Sequence, residues 1–183
     1  MKPTDDLKEE HDAVKLMLRI LDGICMDIDS GKKVDYGHLE NIVEFMKVFV
    51  DKCHHTKEEA HLFPAMEKAG ISVAVKLIPS LLQEHEEGRE HVRKINEAVS
   101  GKMDSEALST IVRNSRDYTQ LLIRHIDKED RYLFPVADAR LKPETQENML
   151  ESFELVEAEK IGTGKHEEFH RMLRELEKIY VKP

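Results

Sequence analysis

Apolar residues recur along this chain at intervals of three and four, the spacing of one face of an α-helix. The first stripe is Leu7, Val14, Leu18, Leu21 and Cys25. It follows Thr4 and two acids, which read as an N-cap and a first turn that complements the helix dipole. Ser30-Gly31 breaks this helix. The second stripe runs through Leu39, Ile42, Val43, Met46, Phe49, Val50 and Cys53, from a start near Asp35 and Gly37 to an end or interruption at Gly70. A third helix is expected from about Ser72 to Val99, with Pro79 in its early part. After Ser100-Gly101, Asp104 or Ser105 caps a fourth helix, with Leu108, Ile111, Val112, Leu121, Leu122 and Ile126 in its stripe. Lys142-Pro143 interrupts the pattern. A shorter helical segment covers about 144–159, and beyond Gly162-Thr163-Gly164 a last one, about 165–181, carries Phe169, Met172, Leu173, Leu176 and Ile179. Long helices with short connections predict antiparallel neighbours. The expectation is an all-α, up-down four-helix bundle over about residues 5–140, with a helical extension over about 143–181, in a single domain.

Composition supports this and excludes other classes. Charged residues make up 36% of the 183 positions and there is no Trp, which suits amphipathic helices better than sheets. The net charge of -9 gives no electrostatic footprint for nucleic acid or an anionic membrane. The polar start, MKPTDDLKEEHD, lacks the apolar region of a signal peptide, and no apolar run reaches membrane-spanning length. A cytoplasmic protein is expected, with Cys25 and Cys53 as reduced thiols in or near the core.

One internal repeat changes the picture. Residues 54–64 read HHTKEEAHLFP and residues 125–135 read HIDKEDRYLFP, identical at six of eleven positions, with Glu59 matched conservatively by Asp130. The two copies lie on the second and fourth helices, so the halves of the bundle look duplicated. Leu-Phe-Pro in each could be a core contact with a kink, but that does not explain why His and Glu recur. His54 and Glu58 are four apart, as are His125 and Glu129, so each pair shares a helix face. The neighbouring apolar positions turn these faces toward the bundle seam, where an ionised carboxylate costs several kcal/mol unless paired or metal-bound. His11 lies along the stripe of the first helix and His85 along that of the third. Gly88, three residues after His85, leaves room beside it. Imidazole and carboxylate donors without thiolate suit iron, manganese or zinc, and two carboxylates able to bridge favour two metals.

The motifs HxxKEExxLFP and HxxKEDxxLFP, one His on the first helix and an EHEEGR segment on the third resemble the hemerythrin-like, or HHE cation-binding, family over at least residues 7–140. The later IGTGKHEEFH resembles an extension of its bacterial and archaeal members. The resemblance implies a four-helix bundle holding two iron ions bridged by an oxo or hydroxo group, with Mn or Zn as substitutes. By position, His11 and His54 would ligate one iron, His85 and His125 the other, and Glu58 and Glu129 would bridge. The chain departs from the invertebrate oxygen carriers at Arg89, where they place a second His on the third helix, and at Glu129, since their bridging Asp falls at the spacing of Asp130. His55 is the candidate to compensate at the second metal, Asp130 is a further candidate ligand beside Glu129, and the Arg89 guanidinium is expected to hydrogen-bond a bound anion. Glu59, about 100° round the helix from Glu58, is expected to be exposed, and His61, His38, His91, His166 and His170 to lie outside the ligand set. The expected function is binding or sensing of O2, NO or peroxide, with no nucleic-acid or membrane partner and no protein partner indicated. The alternatives are a di-iron oxidoreductase for peroxide reduction or iron-centre repair, and a ferritin-like protein built on Glu-x-x-His pairs such as Glu58-His61 and Glu167-His170.

Overall fold

A computed structural model describes residues 1–183. The chain is all-helical and forms six rods. The first is α1 (Pro3–Asp29). The second begins as α2 (Tyr36–Phe45), continues through π-helical segments Met46–His55 and Glu58–Leu62, and ends as α3 (Phe63–Lys68). The third is α4 (Ser72–Ser100). The fourth runs from α5 (Ser105–Lys128) through a π-helical segment, Glu129–Leu133, into α6 (Phe134–Arg140). The C-terminal rods are α7 (Pro143–Lys160) and α8 (Lys165–Tyr180). No helix is long and apolar enough to cross a membrane.

The helix ends follow local chemistry. Asp35 caps α2 by accepting from the Gly37 and His38 amides, and Asp104 caps α5 by accepting from Ala107 N. Gly70 has φ +67°, a conformation that ends the second rod and favours glycine. Thr4 is not a cap. Pro3, with its preset φ and no N–H, takes the first helical position, and Thr4 is buried inside the helix, donating from Oγ1 to Asp138 at 2.5 Å.

Both Leu-Phe-Pro sequences follow a π-helical turn. Pro64 and Pro135 cannot donate to the carbonyl four residues back and their rings crowd it, so the preceding turn widens. The apolar interior is divided in two. One body contains Val14, Leu18, Phe45, Val50, Val92 and Leu122, and the other Leu7, Leu62, Phe63, Leu81, Leu133 and Phe134. On every long rod a polar turn separates these bodies, so the candidate residues form a layer between two apolar plugs. The extension covers the side formed by α1 and the second rod. Phe153 of α7 joins one plug; Phe169, Leu173 and Leu176 of α8 join the other. Cys25 and Cys53 are free and buried, and burial pushes their thiols up to about 11 and about 12.

Candidate metal centre

Four imidazoles, His11, His54, His85 and His125, come from four rods into the polar layer, and each turns its Nδ1 outward onto a carboxylate. His11 Nδ1 meets Asp130 at 2.7 Å, His54 meets Glu10 at 2.6 Å, His85 meets Glu59 at 2.7 Å and His125 meets Glu84 at 2.7 Å. A ring that donates its Nδ1 proton presents a bare Nε2 lone pair inward. His11 and His54 bring these nitrogens to 3.1 Å, as do His85 and His125.

Two carboxylates span the pairs. Glu58 places one oxygen 3.3 Å from His54 Nε2 and the other 3.2 Å from His85 Nε2. Glu129 lies 3.2 Å from His11 and 3.0 Å from His125 in the same way. All four of these oxygens are buried with no hydrogen-bond partner. Lone pairs facing lone pairs at such distances repel, and a cation or a set of protons must lie between them. The donor atoms fall into two groups, each mutually within 4.8 Å. His11, His54, Glu58 and Glu129 make one, and His55, Glu58, His85 and His125 the other. Glu58 belongs to both.

His55 thus joins the second group, beside His54 on the same rod. Successive side chains on an α-helix point about 100° apart. The wider π-helical winding of Met46–His55 lets both rings be buried. His55 stacks on His85 with centroids 3.7 Å apart and holds Asp51 at a longer 3.3 Å. Asp130 belongs to neither group: its carboxylate is used behind His11. Glu59 is not a free exposed acid, because it orients His85. Arg89 is not available to an anion either. Its Nε donates to Asp51 at 2.7 Å, its Nη2 to Glu59 at 2.7 Å and its Nη1 to Glu86. His61 packs beside Phe153, and His166 and His170 surround Phe49, so the Glu-x-x-His pairing of a ferritin-like site is not assembled.

The His, Lys, Glu and Glu/Asp positions of the repeat now each have a place. Its His enters the polar layer. Its Lys braces the carboxylate behind that His: Lys57 donates to Glu10, and Lys128 to Glu84. Its Glu spans the two groups, and its Glu59 or Asp130 orients the imidazole of the opposite half. Its Phe stacks on that same imidazole, Phe63 on His85 and Phe134 on His11. The orienting acids Glu10 and Glu84 and the braces Lys57 and Lys128 are the residues that the sequence reading missed. Their signal was a second duplication, Glu-His at 10–11 and again at 84–85, with the Lys in each repeat.

The charges of the layer shift its titratable groups. Burial works against the charged His54, but Glu58 and Glu10 outweigh it and hold this imidazole well above its usual range. Against burial, Glu129 pushes His125 up to about 10; His11 and His85 are raised as well, by Asp130 and Glu58 respectively. Burial holds His55 well below its usual range, and the positive field of His85 adds to this. Burial also opposes ionisation of Glu58, yet His54 and His85 hold its carboxyl well below the carboxylate range. The raised His125 adds stability that is complete below its unfolded value of about 6.5 and lost as pH rises through about 10. Metal uptake has the opposite dependence, since it must displace the Nε2 protons. The burial, the four unpartnered oxygens and the all-nitrogen-and-oxygen donor set fit iron, manganese or zinc, while the raised thiol of Cys53 takes no part.

A family model described as the hemerythrin HHE cation binding domain matches residues 2–137. Uncharacterized proteins of Mycobacterium bovis and Mycobacterium tuberculosis are 23% identical over 160 residues, covering 86% of this chain. The chain spans 62% of the length of these curated relatives. No solved structure matches it.

Proposed function

Because this chain belongs to the hemerythrin HHE cation-binding family, we propose that its polar layer holds two iron ions and that the protein binds or senses a small molecule of the O2, NO or peroxide class. The observation that carries this reading is the pair of buried carboxylates whose four unpartnered oxygens each face an imidazole Nε2, with each carboxylate reaching both pairs. Two irons supply one-electron redox change and room for a small ligand. The protein's residues do the rest. His11 and His54 hold one position, and His55, His85 and His125 the other. Glu58 and Glu129 join them, and the outer carboxylates keep each Nδ1 protonated so that each Nε2 remains a donor. With His55 in the second group, the nitrogen donor missing at Arg89 is replaced, and the histidine-poor position becomes that of His11 and His54.

Binding or sensing is favoured over turnover of a larger substrate by the size of the approach. A cavity of about 1030 Å³ between α1 and α5 touches none of these donors. A cavity that does reach them, at His55, is about 280 Å³. The test is to load the protein with ferrous iron, mix it anaerobically with NO and separately with peroxide, and follow the optical spectrum. The expected result is a spectral change that saturates at a fixed ratio of NO to protein, with peroxide consumption that stops after a few equivalents. Sustained peroxide consumption would instead establish the oxidoreductase alternative.

A further inference from the structure

The two halves of the centre repeat with two departures beside the donors. Glu10-His11 and Lys15 of α1 correspond to Glu84-His85 and Arg89 of α4, and Lys15 braces Asp130 as Arg89 braces Glu59. Where the second rod has His55, however, the fourth has Ile126, and where α4 has Gly88, α1 has Val14. The two flanking cavities differ accordingly. The one beside α1 meets Ile126. Its counterpart beside α4 meets His55 and passes Gly88 and Tyr118. Gly88 leaves this end open, since a Cβ there would already meet Tyr118 at 3.5 Å.

His55 is also the most loosely held of the five imidazoles. Its Nδ1 partner is at 3.3 Å, against 2.6–2.7 Å for the other four. It also lines the cavity beside α4. The walls are apolar at Met46, Val50 and Val92, and the charge of Arg89 is consumed by its three carboxylates. The other lining cations, Lys47 and Arg93, are exposed at the outer end, and Arg93 is held by Glu90 and Glu97, whereas beside His55 itself an anion would meet the Asp51 carboxylate.

We propose that this cavity is a binding site for a small uncharged Lewis base, and that His55 is the donor which such a molecule displaces from the second metal position. The proposal rests on the two-metal reading above. With a metal held there, His55 would give up its place to the incoming lone pair, one bond to nitrogen being exchanged for one to the ligand, with no electron or proton transferred. His55 would yield toward the cavity it already lines.

Imidazole is a suitable probe, being uncharged above about pH 8 and small enough for the cavity. The d–d bands of the cobalt(II)-loaded protein report its binding. Imidazole is expected to shift these bands in the wild-type protein. His55→Ala is expected to shift them toward a poorer nitrogen set, and added imidazole to restore them. Val92→Phe, which fills the cavity and leaves every donor in place, should weaken both imidazole effects by about tenfold or more, equivalent to ~1.4 kcal/mol. Ile123→Phe, in the cavity beside α1, should leave them as they are. Unchanged bands in His55→Ala, or an imidazole response untouched by Val92→Phe, overturns the proposal. If His55→Ala fails to fold or to hold cobalt, the comparison of wild type with Val92→Phe decides alone. A wild-type protein that does not bind two cobalt ions would instead overturn the two-metal reading.

Discussion

Glu58→Ala is expected to abolish tight metal binding at both positions. Its two oxygens face His54 and His85, and it is the one residue common to both donor groups. Changes to residues that merely orient ligands cost about 10–100-fold in affinity, so loss of a shared donor should exceed about 100-fold. Glu59→Ala provides the contrast. It leaves all donors present but frees His85 Nδ1 from its 2.7 Å partner, so the second position should weaken within that 10–100-fold range while the first keeps its affinity. Equilibrium dialysis against a competing chelator measures both. Retention of one full equivalent in Glu58→Ala would show that the two positions do not share this carboxylate.

Lys57→Met is expected to produce the largest loss of stability of any change outside the donor groups. Lys57 is 0% exposed, sealed by Glu157 and Phe153 of α7, and its ammonium holds Asp6 and Glu10. Burial opposes the charge on Lys57, but these acids more than compensate and raise its pKa. Replacing it by Met keeps the volume and strands Glu10, whose carboxyl is kept below its usual range, despite burial, by His54 and Lys57. Breaking a buried pair in this way costs about 3–5 kcal/mol. For a chain of this length the melting temperature should fall by roughly 6–20 °C. Thermal unfolding of the metal-free protein checks it, and a fall corresponding to less than about 1 kcal/mol would mean that the pair is wet.

The helices were legible because their punctuation is chemical: Asp35, Gly70, Asp104 and Pro143 end or begin rods where caps and rings require it. The inward residues were legible where apolar neighbours fixed the face, as around His11, His85 and His125. Glu10 and Glu84 escaped notice because an acid beside an inward His looks like part of a solvated face until the partner helix is placed. Asp130 reads as a ligand for the same reason, since only the crossing of α1 puts it behind His11. His55 could not be oriented from α-helical spacing, which separates it from His54. The π-helical winding that buries both rings left no mark on the apolar pattern.

Anaerobic calorimetric titration of the metal-free protein with ferrous iron, near pH 7 and in two buffers of different ionisation enthalpy, tests the central claim most directly. The account predicts two equivalents bound per chain. It also predicts proton release, because a metal must take the place of protons at His54 and His125, whose neighbouring carboxylates favour the charged imidazole against burial. A single equivalent, or two bound without proton release, would contradict it.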